Sequence, residues 1–184
     1  MRPLLRKIRK DSGAQILEFA VALPLLVIFL VGIYDFSQAF NTKEKLTFAA
    51  KDGARLGATQ PTNDLSNAVP LSVAAIRDLV DADLLAAGIS DCGLGPITAS
   101  TPMVWIATGT CANSRTLTLT IDRGFSFSTV VAGAPEPVQI ICTRVDITYP
   151  YQWHFNSAIR LLVPSSTFAA ITLIDTAEVA TNQE

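Results

Sequence analysis

With 184 residues, 14 Lys and Arg, 16 Asp and Glu and a formal charge of −2, the chain is long enough for one modest core and carries no excess of positive charge. Five of the bases, Arg2, Arg6, Lys7, Arg9 and Lys10, fall in the first ten residues, leaving nine bases against 16 acids in the remainder. That acidic remainder argues against a nucleic-acid partner, which needs clustered Lys and Arg against phosphate, while 49% hydrophobic residues and a mean hydropathy of +0.37 suit a membrane-anchored chain.

Ala14 to Tyr34 is an almost unbroken apolar run, and roughly 20 such residues are enough for a helix to cross a bilayer. The basic cluster before it predicts a cytoplasmic N-terminus and an exported remainder. Membrane lipid is therefore the first expected partner. Glu18 lies inside the run near one end, where a charge costs less than at a helix centre. A cut between Gly13 and Ala14 would create an ammonium one helical turn from Glu18, on the same face.

The basic leader, Gly13, Ala14, Glu18 at the fifth position after the junction and Phe19 resemble a type IV prepilin processing site. Glu18-Phe19-Ala20, Leu23-Pro24-Leu25-Leu26 and Ala49-Ala50-Lys51-Asp52-Gly53-Ala54-Arg55 are similar to the TadE-like pseudopilins of the tight adherence (Tad/Flp) pilus machinery. Over about the first 58 residues the resemblance is close; Val145 to Pro150 is only loosely similar to that family's C-terminal strand, and Gln15-Ile16-Leu17 departs from the alanine-rich stretch usual after the junction. The resemblance implies cleavage by a prepilin peptidase at Gly13 and Ala14, an assembly role for Glu18 and Phe19, and partners among other pilins, pseudopilins and Tad assembly proteins. Incorporation into an extracellular pilus follows from the same likeness. Two other readings of the N-terminus stand beside it. One is a secretory signal with Ala20-Val21-Ala22 as the cleavage site, and the other is an unprocessed anchor in which Glu18 snorkels to the interface.

Beyond Tyr34 the pattern remains helical and free of proline until Pro61, so one helix is expected from about Ala14 to Ala58, kinked at Pro24. Gly53-Ala54 and Gly57-Ala58 place small residues four apart, which suits close approach either of another subunit or of the chain's own domain. Gln60 to Asp64 is a turn. Val69, Val73, Ile76, Val80 and Leu84 then predict an amphipathic helix stopped near Gly88. Strands are expected at Met103–Ala107, Arg115–Asp122, Val138–Tyr149 and Thr167–Ile174, with loops at Gly93–Pro96, Gly109–Ser114 and Gly133–Pro137. Thr-rich alternation predicts an antiparallel sheet with one wet face.

The expected fold is α+β and pilin-like: a long N-terminal helix, a second amphipathic helix and an antiparallel sheet. Its divisions are a leader over 1–13, a transmembrane helix over 14–34, a helical stalk over 35–58 and an exported domain over 59–184. Of the three cysteines, Cys92 and Cys111 flank loops and can close a ring of about 20 residues, while Cys142 lies in an apolar strand and reads equally as a buried thiol. Their spacings match no zinc signature. The lone histidine, His154, sits in the aromatic stretch Tyr149 to Phe155 and reads as packing or contact surface. Asp78, Asp81 and Asp83 read as a solvated helix face, and Gly93-Leu94-Gly95-Pro96 lacks the context of a phosphate loop. No catalytic residue, metal or cofactor site is expected, and the function is structural: a minor pseudopilin-like subunit of a Tad/Flp pilus. The alternative is a permanently anchored periplasmic adaptor or binding module.

Overall fold

The computed structural model describes residues 11–130, 136–155, 160 and 171–182. The basic cluster Arg2 to Lys10, residues 133–135 of one expected loop and residues 167–170 of the last expected strand lie outside them. The architecture is α+β. A 49-residue helix, α1 (Asp11–Thr59), is followed by α2 (Leu71–Ala86) and by five strands: β1 (Thr98–Thr101), β2 (Val104–Thr110), β3 (Thr116–Thr129), β4 (Val138–Gln152) and β5 (Ile171–Thr181). The strands form one antiparallel meander in the order β1-β2-β3-β4-β5. Two compact units divide the chain, one of Met1–Gln38 with Trp153–Ala170, the other of Ala39–Gln152 with Ile171–Glu184.

In the larger unit, the buried stripe of α2 (Val73, Ile76, Val80, Leu84) and residues Leu46, Ala49, Ala50 and Ala54 of α1 cover Trp105, Ala107, Leu117, Leu119, Ile121, Val145 and Ile147 of the sheet. The small residues of α1 make this packing possible. A Cβ on Gly53 would lie 2.7 Å from Val80 Cγ2, and one on Gly57 would lie 2.5 Å from Thr143 Cγ2. Of the two uses the sequence allowed, packing on the chain's own domain is therefore the one the structure displays. The opposite face of β3 carries Thr116, Thr118, Thr120 and Asp122, the wet side that the alternation implies.

α2 ends where the sequence placed its stop. Gly88 has φ +72, and its N–H and that of Ile89 return to the carbonyls of Leu85 and Leu84. The strands differ from expectation in several places: β2 runs on to Thr110, into the loop expected at Gly109–Ser114, and β4 to Gln152 instead of Tyr149, each held by its pairing with a neighbouring strand. β1 is an additional strand of four exposed residues, Thr98 to Thr101, with no apolar alternation to reveal it. β3 runs on to Thr129 through a bulge at Arg123 and Gly124, where its register with β4 shifts between Asp122 and Phe125. β5, described over Ile171–Thr181, runs past the expected end at Ile174, because β4 pairs with it continuously from Gln152↔Ile171 to Cys142↔Thr181. The length of its partner, not its own apolar content, sets its end.

Candidate functional site

The first part of α1 is long and apolar enough to cross a membrane as a single span. Leu and Ile have strong or adequate helix preference, and the helix continues through Pro24. Many of its large side chains lie open among the described residues: Ile16, Leu17, Phe19, Phe29 and Ile33 are each more than 60% exposed, while Ile28 and Val31 are half-buried. Such a surface is stable only where lipid or other apolar helices surround it. Gly13 and Ala14 occupy an exposed part of this helix, and a Cβ on Gly13 would meet nothing within 4 Å. Glu18 and Phe19 are also exposed, with Glu18 one turn after Ala14. The four residues singled out at the N-terminus thus share about two turns of one helix.

In the same unit, Asp35 follows the apolar run directly and is completely buried. One carboxylate oxygen accepts the Phe155 backbone N–H, and the other lies 3.2 Å from His154 Nδ1. The Trp153 ring packs edge-on against Phe36 at 5.1 Å and Phe155 at 5.6 Å. Sequence reasoning placed no carboxylate near His154. The available signal was an acid immediately after an apolar run, with an aromatic residue on either side.

The far end of α1 is held differently. Arg123 is 1% exposed and donates to the carbonyls of Gly57, Gln60 and Pro61, satisfying acceptors that a helix C-terminus leaves open and meeting its negative dipole end. The bulge at Arg123-Gly124 belongs to this arrangement, since an extra residue re-aims a strand side chain. Burial lowers the guanidinium's pKa and the charge of Asp64 pushes it back up. Asp64 in turn accepts the Ser72 N–H and hydroxyl, each at 2.8 Å, and so caps α2 from the preceding turn. Burial alone would raise its pKa, but the Ser72 hydrogen bonds, its own backbone amide and Arg123 outweigh that and hold it below 3.8. Asp81 and Asp83 show the opposite sign, with burial raising both. They are less solvated than the helix face the sequence suggested.

Cys92 and Cys111 are joined by a disulfide with a Cα–Cα separation of 4.3 Å. It ties the connection after α2 to the β2–β3 turn, where backbone oxygens of Asp91 and Cys92 come within 3 Å of the position a Cβ on Gly109 would take. Cys142 is a buried free thiol whose pKa burial raises, which makes it a poor nucleophile.

A family model described as TadE-like protein matches residues 13–55 of the chain. It begins at Gly13, includes Glu18 and Phe19, and ends at Arg55, after the Gly53 that packs on α2. No curated protein and no solved structure matches the chain.

Proposed function

We propose that this TadE-like chain, matched to that family over residues 13–55, is a minor pseudopilin-like structural subunit in the biogenesis of a Tad/Flp pilus. It is inserted in the bacterial inner membrane by residues 14–34, with its N-terminus cytoplasmic and its C-terminal domain periplasmic. A prepilin peptidase removes the basic leader between Gly13 and Ala14. The trimmed helix then exchanges lipid for the helices of other pilins, pseudopilins or Tad assembly proteins.

The observation that carries this reading is the TadE-like match, which spans the junction, Glu18 and the stalk in one stretch. Two physical features support it. Much of the apolar surface of α1 in the span, Ile16, Leu17, Phe19, Phe29 and Ile33 among it, is exposed among the described residues, so it can be lipid-facing first and subunit-facing later. Past the span, Phe40 and Phe48 remain 65% and 63% exposed on a helix whose Leu46, Ala49, Ala50 and Gly53 are turned to its own domain. The face left free carries these two rings among Lys43, Glu44, Lys51 and Asp52, and is available to a neighbouring helix.

In this role Glu18 neutralises the new ammonium at Ala14, on its own or a neighbouring subunit, and thereby sets register. The Glu18→Ala variant is expected to remain in the carbonate-resistant membrane fraction at the wild-type level while its amount in assembled pilus complexes falls. Normal assembly of that variant would remove Glu18 from the mechanism.

A further inference from the structure

Asp35 and the residues around it are not used by anchoring or processing, yet they are built with care. A carboxylate just past an apolar run is completely buried, and its oxygens meet the Phe155 N–H and the His154 ring. Trp153 touches both Phe36 and Phe155. The stretch directly after β4 is therefore pinned to α1 at positions 35 and 36 by a charged acceptor and by ring packing.

The helix is a ruler for depth. At 1.5 Å per residue, Ala14 to Tyr34 rises about 30 Å, matching the roughly 30 Å hydrocarbon thickness of a bilayer. Phe36 then lies about 3 Å past the hydrocarbon edge by the same rise. That is headgroup depth, where Trp and Tyr concentrate because one side of the ring is apolar and the other polar. Tyr34 and Phe36 remain 62% and 55% exposed, and the His154 side chain is 75% exposed beside them. An unsatisfied carboxylate at this depth would be costly, and its enclosure by a peptide N–H and an imidazole answers that cost.

We propose that Tyr34, Phe36, Trp153 and Phe155 form a lipid-interface seat, through which the chain after β4 rests on the phospholipid headgroup layer where α1 leaves the bilayer. The occupant is the membrane surface, by continuity with the span. The proposal rests on reading residues 14–34 as that span.

The test uses the full chain reconstituted in phosphatidylcholine vesicles whose acyl chains are brominated near the headgroup or near the bilayer centre. The other tryptophan, Trp105, is 2% exposed and donates to the Ala68 carbonyl, so the difference from Trp153→Phe isolates Trp153. Its fluorescence should fall by about half with shallow bromines and little with deep ones, as expected of an interfacial ring. Asp35→Ala should weaken that quenching while leaving the chain resistant to carbonate extraction. Absence of quenching in a carbonate-resistant chain would overturn the seat alone and point to water or a second copy against Trp153. Stronger quenching by deep bromines would overturn the interfacial depth. Extraction of the chain by carbonate would overturn the span, and the seat with it.

Discussion

Two stretches of α1 have opposite surroundings. Between Ile16 and Tyr34 the helix carries Ile, Leu, Val and Phe of which most are exposed among the described residues; between Leu46 and Ala58 it carries Ala and Gly that are packed to near-zero exposure. The difference lies in side-chain size. Small residues let α2 and β4 approach the helix axis closely and build a protein core. Large ones hold neighbours off and present a surface that lipid, or another helix, must cover. One continuous helix thus carries an open stretch of large apolar residues and a packed stretch rich in Ala and Gly.

That contrast can be broken at named positions, each read by urea unfolding of the detergent-solubilised full chain with Trp105 fluorescence as the probe. The largest expected loss is for Arg123→Ala, about 3 kcal/mol or more, since three carbonyls lose a charged donor and a buried volume is emptied. Cys92→Ser with Cys111→Ser should cost about 3 kcal/mol by releasing a ring of about 20 residues. Gly57→Val should cost about 2 kcal/mol through overpacking on Thr143 and Ile76. The paired control is Gly32→Val, which has nothing within 4 Å of its Cβ and should leave the transition in place. An equal effect at Gly32 and Gly57 would remove the distinction between the two stretches.

The smallest effect is also the most specific. Asp64→Ala should cost about 1 kcal/mol at neutral pH by uncapping α2. The folded pKa of Asp64 lies below the unfolded 3.8, so its contribution is complete above that value and is lost as pH falls through the folded pKa. Wild type and variant should converge below about pH 4 and stay separated above it. Parallel stability curves across that range would mean that the carboxylate is not the cap.

Much of this was legible in the chain. The apolar run, the α2 stripe and the Gly88 stop are repeating or local signals, and each appears in the structure as a helix or its end. Alternation at Leu117, Leu119 and Ile121 likewise located the core of β3. What was not legible depends on partners distant in sequence. Arg123 continues the inward parity of that alternation, an unfavourable place for a charge until the carbonyls of Gly57 and Gln60 arrive from 66 and 63 residues away. Asp35 and His154 meet across a separation of 119 residues, which no local pattern encodes. β1 was invisible because four exposed residues are held in the sheet by β2 alone.

The central functional claim is that the helix becomes an assembly element only after its leader is removed. The direct test is the intact mass and N-terminal sequence of the protein from its native membrane, in cells with and without an active prepilin peptidase. The account predicts a start at Ala14 that requires the peptidase. The same uncleaved N-terminus in both strains would contradict it and leave a fixed anchor.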